Sequence, residues 1–330
     1  MDSEFVIRKN KGYLRFLFAL LLLQLLACQT IDEVLDVKPG GYDVVPSVPG
    51  KVKFVAVGDT GKGNSAQTKV ANIIKTKCEN DGCDFVLLLG DNIYESGVDS
   101  VNDSQFQTKF ETPYHDIVLP FYVVLGNHDY GGDGAGYEIQ KSIHQVRYTE
   151  KSSKWVMPAH YYKFNAGNTS FFALDTNTQL FNLANEQSKD VSHWIDQSPS
   201  DWKIVFGHHP YMSNGPHGNA GSYDGIPDNL DRFGGKGVKE FAESVWCGKA
   251  DLYIAAHDHS RQWLGNTCDG TNLVISGAGA STTTLPGSNP ALFQSDTPGI
   301  LYVVIDGKIL TAEFIDVKGN SEFKHTLTKP

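Results

Sequence analysis

The stretch LLLGDNIYESG, residues 87–97, decides how this chain is read. Three leucines end in Gly90-Asp91, and a tyrosine follows that aspartate by three positions. A short, unbroken apolar run closed by a polar turn is the pattern of a strand buried on both faces. Four more segments repeat it. VKFVAV (52–57) precedes Gly58-Asp59, FYVVL (121–125) precedes Gly126-Asn127-His128, WKIVF (202–206) precedes Gly207-His208, and DLYIAA (251–256) precedes His257. Stretches of helical character lie between several of them: 65–78, with apolar positions at Val70, Ile73 and Ile74, then 185–196 and 236–246. LVISGAGA (273–280) follows. ILYVVIDGKILTAEFID (300–316) reads as a hairpin turning at Asp306-Gly307. Strand, helix, strand order predicts an α/β layered domain. Ligands of such folds gather beyond the carboxyl ends of strands, where each of these segments places an Asp, Asn or His.

The 330 residues are 40% hydrophobic and 20% charged, enough for one large domain or two small ones. Thirty-three glycines and fourteen prolines favour many tight turns. The formal charge is -10, and no basic run occurs after residue 15. That excludes the electrostatic footprint of a nucleic-acid binder. An acidic protein still takes a phosphorylated substrate where metal ions supply local positive charge. Nothing divides residues 51–330, which are expected to form one catalytic domain.

The first 27 residues read as a signal peptide. Arg8, Lys9, Lys11 and Arg15 precede FLFALLLLQLLA (16–27), too short to span a bilayer, which takes roughly 20 residues. LLAC at 25–28 resembles the lipobox of bacterial lipoproteins, with Leu26 where a small residue is more usual. This resemblance implies lipidation of Cys28, a tether over 28–50 and attachment to a bacterial cell envelope. An ordinary cleaved signal with secretion, and an uncleaved anchor, are the alternatives. With Cys28 set aside, Cys78, Cys83, Cys247 and Cys268 remain, an even number consistent with two disulfides in an exported chain. Cys78 with Cys83 and Cys247 with Cys268 are the nearest pairs. The sequence leaves the other pairings open.

The strand-end residues collect into Asp59, Asp91, Tyr94, Asn127, His208, His257 and His259. Carboxylate, phenolate, amide oxygen and imidazole without thiolate suit iron, manganese or zinc. Seven donors exceed one ordinary site and fit two metals sharing a bridging carboxylate.

GDTG (58–61), GDNIY (90–94), GNHD (126–129), VFGH (205–208) and AHDH (256–259) resemble, in order, the five blocks of the purple acid phosphatases, GDxG, GDxxY, GNH plus an acid, VxxH and GHxH. The chain looks most like their small, tartrate-resistant type, within the calcineurin-like metallophosphoesterases. The resemblance covers about residues 51–320. It implies a four-layer αββα sandwich and a phosphate monoesterase with an acidic optimum, working by attack of a metal-bound hydroxide at a dinuclear centre. Asp59, Asp91, Tyr94 and His259 would hold Fe(III). Asp91, Asn127, His208 and His257 would hold Fe(II), Zn(II) or Mn(II), with Asp91 as the bridge. Histidines at the positions of His128 and His217 contact phosphate and assist the leaving group in that type. Substrates would be phosphorylated small molecules or phosphoproteins.

Ala256 departs from the family glycine, and its methyl is expected to crowd the turn carrying His257. His209, next to His208, is held as a substrate-contact alternative. Asp129 either orients His128 or shapes a turn, and Asp258 is expected to bond backbone. Two other functions stand beside the monoesterase. One is phosphodiester, nucleotide or phospholipid head-group hydrolysis on the same metal core, decided by loops such as 131–150 and 211–235. The other is a non-catalytic surface lipoprotein, which predicts damaged donors, and all seven are intact.

Overall fold

The computed structural model describes residues 50–181, 185–226 and 234–330. The expected signal peptide, the lipidated Cys28 and the tether up to residue 49 lie outside the described residues. Among the described residues, fourteen strands, numbered in chain order, form two seven-stranded sheets. The first runs β14 (Ser321–Thr328), β13 (Ile309–Asp316), β12 (Gly299–Asp306), β1 (Lys51–Val57), β2 (Phe85–Leu89), β3 (Phe121–Val124), β4 (Trp155–Val156). The second runs β11 (Ala291–Ser295), β9 (Arg261–Cys268), β10 (Thr271–Ser276), β8 (Leu252–Ala255), β7 (Trp202–Phe206), β6 (Thr169–Ala173), β5 (Tyr162–Ala166).

The apolar runs form strands because both their faces are covered. Every residue of β2, β3 and β8 is buried. β1, β2 and β3 are mutually parallel, as are β6, β7 and β8. Aromatic side chains join the two sheets. Phe54 and Phe85 of the first meet Phe171 of the second edge-on, with ring centroids 5.4 and 5.3 Å apart, a favoured aromatic geometry.

Helices cover the outer faces. Helix α1 (Ser65–Asp81) packs on β12, and Asn64 caps it by accepting from the Gln67 amide at 2.9 Å. Helix α2 (Ile139–Tyr148) and the short α3 (Thr176–Leu180) follow. Helices α4 (Asn185–Gln197) and α5 (Lys236–Val245) bury Val191, Ile195, Phe241 and Val245 against Val205, Tyr253 and Leu273 of the second sheet. The four-layer sandwich is therefore the fold observed. The nearest cysteine pairs form the disulfides, Cys78–Cys83 and Cys247–Cys268. The β12–β13 hairpin turns as expected, with Asp306 opposite Ile309.

Candidate metal centre

All five strand-end turns meet at one edge of the sandwich. The Gly58 amide donates to Ser276 O at 2.8 Å, and His208 Nδ1 bonds Leu89 O at 2.8 Å, so turns from both sheets are hydrogen-bonded directly. Three of the seven expected donors, Asp59, Asp91 and His257, have left-handed backbone, with φ of 55°, 53° and 68°. A non-glycine residue costs about 1–2 kcal/mol there. It persists only where the surroundings over-determine it, as happens at functional sites. Gly126 shows how tight the packing is: a Cβ on it would sit 2.2 Å from Asp91 Oδ1.

The donor atoms fall into two groups. In one, the Tyr94 hydroxyl donates to Asp59 Oδ1 at 2.9 Å and lies 3.0 Å from His259 Nε2, which is 3.5 Å from the same carboxylate oxygen. In the other, His208 Nε2 lies 3.0 Å from Asn127 Oδ1, 3.1 Å from His257 Nδ1 and 3.5 Å from Asp91 Oδ2. Asp59, Asp91 and His208 offer ligand atoms within 4.8 Å of one another. All seven expected donors are therefore brought together.

Outer partners turn the donors inward. His208 spends Nδ1 on the Leu89 carbonyl, His259 spends Nδ1 on Ser281 Oγ at 2.8 Å, and the Asn127 amide nitrogen donates to Gly134 O at 2.8 Å. That leaves Nε2, Nε2 and Oδ1 facing the centre. Such anchoring fixes tautomer and ring orientation in metal sites.

Electrostatics favour a cation. Asp59 and Asp91 are buried, and among the described residues no lysine or arginine pairs with either. Burial pushes the Asp59 carboxyl up, but His259, His208 and the Tyr94 hydrogen bond outweigh it and hold it below the usual range. Burial drives the Tyr94 phenol well above its ordinary value, with the Asp59 and Asp91 charges adding to it. His257 is pushed well down, by burial and by surrounding histidines, and so stays a neutral donor. Buried carboxylates without a cationic partner are costly. Bound metal ions would supply positive charge here, and the mixed set of donors is suited to hold them.

His128 and His217 pack against different donors of the centre, Tyr94 and His257. The His128 ring lies 4.4 Å from the Tyr94 ring, with Nδ1 2.5 Å from Glu95 O. The His217 ring stacks on His257 at 4.0 Å, with Nδ1 2.8 Å from Asp224 Oδ1. Burial pulls the His217 pKa down, but Asp224, Asp258 and Asp59 together raise it above the ordinary value.

Of the neighbouring residues, Ala256 departs from the sequence expectation, while Asp129 and Asp258 take roles that it allowed. The Ala256 methyl does not crowd its turn, because it packs where Gly58 lacks a side chain; a Cβ on Gly58 would lie 2.4 Å from it. His209 is buried, with Nδ1 2.8 Å from Thr176 Oγ1; its Nε2 has no hydrogen-bond partner among the described residues, and it groups with His208 and His257, with ligand atoms within 4.8 Å of one another. Asp129 shapes turns: it accepts from the amides of Asn92, Ile93 and Gly126 and from Gln145 Nε2, tying the loop of Asp91 to that of Asn127. Asp258 does bond backbone, accepting from the His217 amide at 3.0 Å. Asp175 caps α3 and accepts from the Tyr130 hydroxyl at 2.5 Å. Sequence reasoning missed Thr176, whose hydroxyl receives the amides of His208 and His209, and Asp224. Neither carries a local signal, since both act across the fold or across a glycine-rich loop.

The signature of the calcineurin-like phosphoesterases matches residues 52–261, a span that holds every donor named above. The chain belongs to the calcineurin-like phosphoesterase family. Among characterised relatives, it is 28% identical over 319 residues to the tartrate-resistant acid phosphatase type 5 of Homo sapiens, covering 84% of this chain and 91% of that protein. It is 27% identical over 358 residues to purple acid phosphatase 4 of Arabidopsis thaliana, covering 100% and 97%. Among solved structures, it is similar to GAP50, the anchor in the inner membrane complex of Plasmodium, with TM-score 0.66 at 21% identity over 85% of this chain and 89% of that one. It is also similar to the purple acid phosphatase PPD1 of yellow lupin, with TM-score 0.64 at 17% identity over 87% and 56%. These structural likenesses concern the fold. The protein is thus a purple acid phosphatase-like metallophosphoesterase.

Proposed function

We propose that this protein is an acid phosphatase hydrolysing phosphate monoesters at a dinuclear Fe(III)–M(II) centre, M being iron, zinc or manganese. The observation that carries the reading is the Tyr94 hydroxyl between Asp59 and His259, 2.9 and 3.0 Å away. A phenolate with two carboxylates is a hard donor set that favours ferric iron, whereas Asn127, His208 and His257 are neutral and suit a divalent ion. Asp91 would bridge. When bound, the metal pair supplies Lewis-acid activation of water and neutralises charge on the phosphoryl group.

The chain's own residues account for the rest. Asn127 and the histidines hold their donor atoms through the outer hydrogen bonds described above, and Asp129 fixes the spacing of two donor loops. His217 stands ready to protonate the leaving alcohol through Nε2, since Asp224 occupies Nδ1. His128, anchored at Nδ1 by Glu95, binds phosphate beside Tyr94. The raised pKa of His217 suits an acid at mildly acidic pH.

Parallel assays with p-nitrophenyl phosphate and bis(p-nitrophenyl) phosphate test the substrate class. Faster monoester turnover is expected, and diester preference would favour the phosphodiesterase reading. The preserved donor set speaks against a purely non-catalytic surface protein. At the N-terminus, lipidation of Cys28 predicts that Cys28→Ser releases the protein from the membrane fraction. Unchanged fractionation would refute the lipid anchor.

A further inference from the structure

His217 has two carboxylates around it, and they do different work. Asp258 takes its backbone amide at 3.0 Å and so fixes the loop. Asp224 takes the ring, Oδ1 to Nδ1 at 2.8 Å, while its own amide donates to the His217 carbonyl at 2.9 Å. The two residues therefore grip each other through backbone and side chain together. Asp224 is held there at a conformational cost, with φ 55° and ψ 23°. The neighbouring Tyr223 anchors this turn: its ring is buried, its amide donates to Gly234 O at 2.9 Å, and its hydroxyl donates to the Pro210 carbonyl. Among the described residues, Asp224 has no lysine or arginine partner, and His217 Nε2 has no protein partner. A strained residue whose carboxylate, among the described residues, pairs with one imidazole, itself stacked on an expected metal donor, is placed to orient that imidazole.

We propose that Asp224 is the positioning residue of the phosphatase reaction: it fixes the His217 ring and its Nδ1–H tautomer so that Nε2 faces the leaving group. The inference rests on the function proposed above. In the step concerned, the oxygen of water bonds to phosphorus and one of the water's protons leaves to solvent. The ester P–O bond breaks with its electron pair going to the alcohol oxygen, and the Nε2 proton of His217 moves to that oxygen. Asp224 keeps the Nδ1 proton in its hydrogen bond throughout.

The test compares Asp224→Ala, Asp224→Asn and His217→Ala on two monoesters. p-Nitrophenyl phosphate leaves without help, whereas an alkyl phosphate needs a proton. Losing general-acid help is expected to lower kcat for the alkyl ester by ~100-fold in His217→Ala, since such groups contribute roughly 10²–10⁴-fold. Asp224→Ala should lose about 10-fold or more on the same ester, with little change on p-nitrophenyl phosphate and unchanged KM. Asp224→Asn, which still accepts from Nδ1–H, should recover most of the loss. In the His217→Ala background, Asp224→Ala should cost nothing further. Equal losses on both esters, or additivity in that background, would overturn the proposal. Loss of leaving-group dependence in neither variant would instead sink the role of His217. Nitrogen NMR of the protein in EDTA reads the tautomer without turnover. His217 should be protonated at Nδ1 in the parent and lose that preference in Asp224→Ala; an Nε2–H tautomer in the parent would overturn the proposal by itself.

Discussion

His160 gives the fold a pH dependence that can be worked out in advance. It is 8% exposed, and its Nε2 lies 2.9 Å from Ser142 Oγ, which in turn donates to Ile139 O at 2.6 Å. The serine hydroxyl therefore accepts from Nε2–H. Burial alone depresses the imidazole pKa from 6.5 to about 4. A histidine with a depressed folded pKa contributes stability that is present above pH 6.5 and lost as pH falls towards 4, because the unfolded chain takes the proton first. Between pH 7 and pH 5 that loss amounts to about 2 kcal/mol, from the two binding curves and roughly 1.4 kcal/mol per pH unit. Asp129 and Asp175 work in the opposite direction, since burial raises both to about 6 and the folded state gains protons first as pH drops. The parent's overall pH profile therefore mixes signs, and a variant is needed to isolate the imidazole. His160→Gln keeps a donor for Ser142 and cannot titrate. Urea unfolding of parent and variant in EDTA, at pH 7 and pH 5, gives the double difference. The variant should gain about 2 kcal/mol on the parent between the two conditions. A double difference near zero would refute the claim that His160 is held neutral by burial.

Other consequences follow from packing and covalent links. Gly58→Ala would drive its new methyl into Ala256 Cβ at 2.4 Å and Leu89 Cβ at 2.9 Å, so about 3 kcal/mol of destabilisation is expected by chemical denaturation. Adding Ala256→Gly should return about 1–2 kcal/mol of it, and strict additivity would show that the two positions do not meet. Loss of the Cys247–Cys268 link, which closes a 21-residue separation, should cost about 3 kcal/mol, against about 2 kcal/mol for Cys78–Cys83 with its separation of 5. Reversed ordering of the two serine double variants in denaturant midpoint would contradict the loop-entropy account.

The central strands were legible because they are buried on both faces and so appear as unbroken apolar runs; β2 and β3 have no exposed residue. Their turns were legible because donors cluster at strand ends, and all seven expected donors meet there. The edges were less legible. β5 alternates buried and half-buried or exposed residues, and β14 has no buried residue and alternates exposed with half-buried residues after its first position, so neither stands out from loops as an apolar run. The outer hydrogen bonds were not legible at all. Asp224 finds His217 only because a glycine-rich turn adopts left-handed backbone, and Thr176 reaches His208 from 32 residues away. Ala256 shows the same limit, since its fit depends on Gly58, far away in sequence and adjacent in space.

The claim on which the account turns is that Tyr94 is a ligand to ferric iron in a two-metal centre. Metal analysis of the purified protein together with its visible spectrum tests this directly. Iron plus a second metal is expected, with a broad tyrosinate-to-iron charge-transfer band that disappears in Tyr94→Phe while Asp59, Asp91 and His259 still retain iron. An iron-loaded protein without that band, or a band that survives in Tyr94→Phe, would contradict it.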